Sequence, residues 1–367
     1  MIPREDVWEI LRGYDRQRIS LATMCSHSAL QIFHGARLEG FRTIGICTQD
    51  RVETYSAFPL ARPDEFIVVD RFSSILNPGP QDELRSKNAI IIPHGSFVEY
   101  VGAGKIINNL RVPMYGNRMS LVWETDRRKQ REWLESSKLV VPKEIPSPSK
   151  IAGKVFVKFH GARGGKGFLT ARSPQEFRRR MKEMLKRGKI QAKDAEDFSI
   201  QEFVVGVRYY LHFFLSITED IGLNVGEGRL ELLGIDKRVE PIDESYRGLP
   251  DVPSEFFDYT VTGNQPVILR ESLLPEVMDM GRRVVEVSRK LFEPGLIGPF
   301  CLETIYHPDK GFKVFEVSAR IVAGTNLYPL GSPYSCYVFE QPMSTGRRIA
   351  LDVRKARRMG RLHEIIY

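Results

Sequence analysis

The 367-residue chain carries 42% hydrophobic and 27% charged residues, enough apolar material for a sizeable core and a length that suits two or three domains. A formal charge of +8 favours anionic partners, of which phosphorylated metabolites and nucleic acid are the two candidates. No apolar stretch approaches the length of a membrane span, and the N-terminus Met1-Ile2-Pro3-Arg4-Glu5-Asp6 lacks a signal-peptide core, so the expected place is the cytoplasm, with no membrane partner.

In chain order, Arg18 to Cys25 reads as a strand that ends in the polar turn Ser26-His27-Ser28. Helical periodicity follows at Leu30, Phe33, His34 and Leu38, closed by Gly40. Buried strands are expected at Thr43 to Cys47, Phe66 to Asp70 and Ala89 to Ile92, with a short helix at Gln81 to Lys87. This strand and helix alternation predicts a doubly wound parallel sheet, whose ligands bind at the carboxyl ends of the strands. Two polar turns fall there: Ser26-His27-Ser28 and Pro93-His94-Gly95-Ser96-Phe97.

A charged helical segment covers Trp123 to Lys138, and Pro142, Pro146 and Pro148 then mark a boundary. Next comes Lys158-Phe159-His160-Gly161-Ala162-Arg163-Gly164-Gly165-Lys166-Gly167, between the apolar runs Val155-Phe156-Val157 and Phe168-Leu169-Thr170. The pattern predicts a glycine hairpin whose backbone approaches a polyphosphate closely, with Lys158, Arg163 and Lys166 adding positive charge. It lacks the spacing of a Walker loop or of a dinucleotide fingerprint. The bland alternative is a surface hairpin with cations for solubility.

A basic helix follows at Pro174 to Arg187, in which Met181, Met184 and Leu185 interleave the cations. Such a run reads as a solvated helix face. It and the second basic cluster, Arg347-Arg348 to Arg358, lack the interleaved aromatics of a single-strand binder, so nucleic acid is an unlikely partner. Strands are expected at Phe198 to Val205, Arg208 to Ile217 and Leu230 to Asp236, and a helix at Leu274 to Leu291. Cys25, Cys47, Cys301 and Cys336 have no metal-ligand spacing, and three of them lie in or beside apolar runs, so buried reduced thiols are the expected state. The apolar stretches Leu327 to Leu330 and Tyr334 to Phe339 leave a homo-oligomeric interface open.

The last strands, Phe300 to Tyr306 and Lys313 to Val317, are joined by the turn at Asp309-Lys310-Gly311. Pairing through that turn sets Glu303 opposite Glu316 on one face. Like charges so placed are unfavourable unless a cation neutralises them; magnesium suits two carboxylates working with phosphate oxygens. The alternative is a pair of rim residues bonded to Arg320 or Lys313. Asn326 is a candidate third, neutral ligand.

A glycine-rich phosphate hairpin with a carboxylate pair on late strands resembles the ATP-grasp superfamily. With Ser26-His27-Ser28, Pro93-His94-Gly95-Ser96-Phe97, Gly234-Ile235-Asp236-Lys237-Arg238, Thr262-Gly263-Asn264, Gly298-Pro299-Phe300-Cys301 and Phe315-Glu316-Val317-Ser318-Ala319-Arg320, nearly the whole chain resembles the archaeal PurP family. That resemblance implies an α/β N-terminal parallel-sheet (preATP-grasp) domain over 1–122 on the nucleotide-substrate side. A helical linker over 123–150 and an α+β ATP-grasp domain with a small subdomain over 151–206 and a large one over 207–367 would follow. It implies ATP- and formate-dependent conversion of 5-aminoimidazole-4-carboxamide ribonucleotide (AICAR) to its 5-formamido product (FAICAR) through formyl phosphate, a carbon–nitrogen ligase step in purine synthesis.

Residue by residue, it assigns His27, Ser96 and Asn264 to AICAR. ATP falls to Lys158, Arg163, Gly164 and Gly165, to the strand Gln201-Glu202-Phe203-Val204, whose backbone would read adenine, and to Glu240. Glu303 and Glu316 take magnesium or manganese, and Lys158 and Arg320 serve catalysis. The chain departs from the family pattern at Val322-Ala323, before Gly324-Thr325-Asn326, where an acid and a glycine are expected. The alternatives are therefore a paralogous ligase for another carboxylate or amine, or an inactive nucleotide-binding protein.

Overall fold

The structure is a computed structural model that describes residues 1–159, 168–241 and 261–367. The expected phosphate contacts Arg163, Gly164 and Gly165 lie outside the described residues. Among the described residues the strands form sheets of four, three and six.

The first sheet contains β1 (Ser20–Met24), β2 (Arg42–Cys47), β3 (Glu65–Val68) and β4 (Ala89–Ile91), in the order β3-β2-β1-β4. All of its pairings are parallel. β1 is buried along its length, as a parallel strand covered on both faces must be. The strand order reverses between β1 and β4, and both polar turns leave the sheet at that switch point.

The three-stranded antiparallel sheet has β5 (Val155–Phe159) between β6 (Phe168–Ala171) and β7 (Phe198–Glu202). Lys158 pairs with Phe168, so the flanks of the glycine segment meet as the expected hairpin. Val157, Phe159 and Ile200 face an apolar cluster with Phe177 and Met181 of the helix Pro174–Lys186. Ser173 caps that helix by accepting from the Glu176 N–H. Its cations Arg178, Arg179 and Lys182 are exposed, the solvated face that the sequence indicates.

The six-stranded antiparallel sheet comprises β8 (Val207–Ser216), β9 (Leu223–Val225), β10 (Gly228–Val239), β11 (Gly263–Pro266), β12 (Gly298–His307) and β13 (Gly311–Ser318). β11 takes up Asn264, which stands opposite Arg238. One face buries Leu211, Phe213, Leu215, Ile235, Phe300, Leu302 and Val317 against the helix Leu274–Leu291 and against Trp123 and Trp133 of the linker. The other face mixes the apolar Phe214 and Leu233, which join Leu21 and Ile90 of the first sheet in a second core, with the polar His212, Asp236, Arg238 and Glu303. The charged linker segment is two helices, Arg118–Thr125 and Arg127–Ser136, broken at Asp126. The Asp126 carboxylate accepts from the N–H groups of Arg128 and Lys129, which makes Arg127 the first residue of the second helix.

The end of the chain returns to the beginning. The helix Thr345–Arg358 lies on the helix Ala29–Leu38, and Ile349, Val353 and Ile365 share a core with Leu21, Ile32 and Phe41. Arg348, in the second basic cluster, is fully buried. Its Nε and Nη2 each donate to Glu231 at 2.8 Å. Asp352, one turn on, accepts from the Tyr115 hydroxyl at 2.9 Å and from Ser216 Oγ at 2.8 Å. Periodicity does not reveal an arginine whose partner is an acid on a distant strand.

The two helices approach backbone to backbone. A Cβ built on Gly35 would lie 2.2 Å from the Arg347 nitrogen, and one on Gly346 would lie 2.4 Å from the Gln31 carbonyl oxygen. Gly35→Ala is therefore expected to lower stability by about 1–3 kcal/mol through forced separation of the helices, against a helix-propensity gain of only about 1 kcal/mol. Urea unfolding measures the balance, and a variant as stable as the wild type would contradict this packing.

Candidate functional site

The register predicted from the last turn is present: Glu303 stands opposite Glu316, as Leu302 does opposite Val317. An irregularity just beyond, at Thr304, resets the pairing so that Val314 and Val317 both reach the core. Each carboxylate has its own arginine. Arg238 on β10 grips Glu303 with both terminal nitrogens, at 3.0 and 3.2 Å, and stacks its guanidinium 3.8 Å from the centre of the Tyr210 ring. Ser318 Oγ donates to the same carboxylate at 3.3 Å. Arg127, from the linker helix, donates to Glu316 at 3.0 Å.

Burial pushes the Glu303 carboxyl above the usual carboxylate range, with Arg238 opposing the rise and Glu316 reinforcing it. Burial acts on Glu316 as well, but Arg127 and Lys158 outweigh it and hold that carboxyl low. Lys158 reaches over from β5 with its ammonium 5.2 Å from the centre of the Phe315 ring. Burial, then the Arg127 cation, lowers it to about 8. Beside it opens a cleft of about 720 Å³ lined by Arg127, Arg131, Lys158, Ser199, Gln201 and Phe315, a size that accommodates a nucleotide.

Among the described residues no group of three or more His, Cys, Asp or Glu side chains forms a complete metal cage. The donor set still fits magnesium or manganese, because an ion that keeps phosphate and water ligands needs only one or two carboxylates. Glu303 and Glu316 are the residues that would hold it. Asn326, considered a third ligand, is elsewhere. Its Oδ1 accepts from Gln31 at 2.7 Å and its Nδ2 donates to the His27 carbonyl at 3.0 Å, so its amide braces the His27 turn.

That turn forms the other end of the site. His27 has φ +53°, a left-handed conformation uncommon for a side chain of its size. Its ring stacks on His94, with centroids 5.3 Å apart and planes 5° from parallel. His94 Nε2 donates to the Met24 carbonyl at 2.9 Å, and its Nδ1 accepts from the Phe97 N–H at 3.3 Å. Ser26 Oγ donates to Ser96 Oγ at 3.1 Å. Burial pushes both imidazoles down, His94 to about 4. Arg320 lies between the two ends of the site. It pairs with Glu124 at 2.8 Å, and a Cβ on Gly95 would sit 2.8 Å from His27 Nε2 and 3.4 Å from the Arg320 guanidinium carbon.

Of the remaining expected contacts, Gln201 lines the cleft, whereas Glu202, Val204, Glu240 and Asn264 are not part of its lining. The Glu202 carboxylate is engaged by Lys313 and by the Lys143 N–H, and its own N–H donates to the Lys143 carbonyl. Phe203 donates to the Lys154 carbonyl, so Val204, just past β7 and half-buried, is the next position along this edge. Glu240 is buried and ion-paired with Arg208. Asn264 Nδ2 donates to Asp236 at 2.8 Å. Val322, where the family pattern suggests an acid, is 2% exposed in a small cluster with Tyr210 and Cys301, so the departure falls on packing. Sequence reasoning missed Arg127, Glu124, Arg238, His212 and Asp236 as site residues; only Arg238 and Asp236 stood in a recognisable motif.

His94 makes the acid sensitivity of this end measurable. Its folded pKa of about 4 lies below the ordinary 6.5, so between these values the unfolded chain takes up a proton that the folded chain does not. Stability is expected to fall as pH drops from 6.5 to 4, by on the order of 3 kcal/mol from this group. His94→Gln is expected to show a shallower decline over that interval in denaturant titrations. Parallel slopes for the two proteins would exclude a neutral buried His94.

Two family models match the chain: "Protein of unknown function (DUF1246)" over residues 21–145 and "Domain of unknown function (DUF1297)" over residues 176–367. The chain is 53% identical to a 5-formaminoimidazole-4-carboxamide-1-(beta)-D-ribofuranosyl 5'-monophosphate synthetase of Korarchaeum cryptofilum, with 100% of both chains covered. It is 50% identical to the synthetase of the same name from Methanothrix thermoacetophila, again over 100% of both. The solved structure of an IMP biosynthesis protein PurP from Thermococcus kodakaraensis superimposes with a TM-score of 0.71 at 33% identity, covering 95% of this chain and 100% of that one. An ADP complex of an N5-carboxyaminoimidazole ribonucleotide synthetase shares the fold at 10% identity, with a TM-score of 0.61 over 85% of this chain and 72% of that one. The fold is ATP-grasp, as the sequence resemblance implies. The chain belongs to the family of 5-formaminoimidazole-4-carboxamide-1-(beta)-D-ribofuranosyl 5'-monophosphate synthetases.

Proposed function

We propose that this chain is an ATP-dependent carbon–nitrogen ligase that formylates the 5-amino group of AICAR with formate. The observation that carries the reading is the convergence of two half-sites on Arg320. The opposed Glu303 and Glu316 with Lys158 and Arg127 form one, and the His27 and Ser96 turns form the other. Arg320 stands between them.

A formate oxygen attacks the γ-phosphorus of ATP and ADP leaves, giving formyl phosphate. The AICAR amine then attacks the formyl carbon, the C–O bond to phosphate breaks, and the amine gives up a proton. The first step needs positioning and charge neutralisation rather than a protein nucleophile. Lys158 and Arg127 hold phosphate oxygens at the mouth of the cleft. Glu303 and Glu316 would hold magnesium or manganese, which would supply further neutralisation of phosphate charge. Arg320, already held by Glu124, faces the junction where the formyl group passes between the half-sites. His27 and Ser96 take the AICAR phosphate end, where a bound anion opposes the downward push of burial on His27. Asn264 contacts the carboxamide.

Purified protein with ATP, magnesium, formate and AICAR is expected to release ADP and FAICAR in equal amounts. Glu316→Gln is expected to lower turnover by roughly 100-fold or more while circular dichroism and thermal unfolding stay close to wild type. ADP formed with another acceptor but not with AICAR would overturn the substrate assignment, and full activity in the Glu316 variant would overturn the metal assignment.

A further inference from the structure

Asp236 lies on β10, on the face opposite Ile235 and two residues before Arg238, and is fully buried. Both of its oxygens are engaged. Oδ1 accepts from His212 Nε2 at 2.6 Å, and Oδ2 accepts from Asn264 Nδ2 at 2.8 Å. With both oxygens accepting, the Asn264 amide presents its NH2 end to Asp236 and its carbonyl oxygen points the other way. The assembly is closed by Gly324, where a Cβ would lie 2.1 Å from Asp236 Oδ1. The segment after Gly324 is tied back to the His27 half-site, since Gln31 Nε2 donates to Thr325 Oγ1 at 2.6 Å and to Asn326 Oδ1 at 2.7 Å, and Asn326 donates to the His27 carbonyl.

We infer that Asp236, anchored by His212, fixes the Asn264 amide with its carbonyl oxygen toward the substrate, so that this wall of the nucleotide pocket selects a hydrogen-bond donor. The inference rests on the proposed contact between Asn264 and the acceptor nucleotide. A carboxamide meets the wall with its NH2 group. A carboxylate in the same place brings acceptor against acceptor with no proton between them, and a half-buried polar group is left unpaired. Asp236 and His212 do not touch the substrate; they are positioning residues that set the polarity of the one that does.

The test uses AICAR and its analogue with a carboxylate in place of the 4-carboxamide, and compares kcat/KM for each. The wild type is expected to favour the carboxamide strongly. Asp236→Asn offers both a donor and an acceptor, which frees the Asn264 amide to reverse. It is expected to lower the carboxamide-to-carboxylate ratio roughly ten-fold or more, with the change in the nucleotide KM and none in the KM for ATP. A parallel loss for both nucleotides with the ratio intact marks Asp236 as structural only and overturns the inference. If Asp236→Asn does not fold, His212→Gln, which still donates, is expected to keep the ratio and His212→Leu to lower it; equal ratios overturn the inference. No formylated product from AICAR in the wild type overturns the function and the inference together, whereas product with unchanged ratios in the variants overturns the inference alone.

Discussion

Two carboxylates that face each other across adjacent strands repel, and burial strengthens the repulsion by removing the water that would screen it. Glu303 and Glu316 are such a pair, and the tertiary arrangement around them can be understood as the means of tolerating it. Arg238 comes from the same sheet, Arg127 from the start of a linker helix, and Lys158 from the three-stranded sheet. Three separate parts of the chain therefore converge on one pair of acids. The compensation is incomplete in a useful way. Glu303 is kept high by burial while Glu316 is kept low by its cations, which leaves a surface suited to a metal and phosphate oxygens.

A second buried cluster holds the two half-sites in a fixed relation. Arg348 and Asp352, on the returning C-terminal helix, join Glu231 and Ser216 of the six-stranded sheet to Tyr115 beside the parallel sheet. A buried ion pair of this kind contributes little net stability against an apolar replacement, yet removing one partner is costly because it strands the other. Its effect here is geometric. The His27 turn follows a strand of the parallel sheet and Glu303 sits on the antiparallel one, and a transfer between two nucleotides requires both to keep their distance. The close contact at Gly35 and Gly346 serves the same end by locking helix on helix.

Much of this architecture was legible in the sequence, for reasons that are local. The helix Leu274–Leu291 has the bounds its periodicity gives, because an amphipathic helix writes its buried face every third or fourth residue. The parallel sheet follows from short apolar runs separated by helix-length segments, and the switch-point turns follow from the sheet. The Glu303 and Glu316 register followed from one short turn. Other residues gave no local sign. Arg127 is an arginine at a helix start beside other basic residues, and Arg348 sits in a second basic cluster. Asn326 has the chemistry of a ligand and a position that suggests one, but its amide is spent on Gln31 and His27.

The element types, the switch-point turns and the carboxylate pair are written in the linear chain, because each depends on residues near one another or on a single turn. Which cation meets which acid, that Arg348 is internal, and which way the Asn264 amide faces emerge only on folding. Those outcomes depend on partners distant in the chain, 28 positions away for Asn264 and 189 for Arg127, and only the folded geometry brings such partners within hydrogen-bond distance.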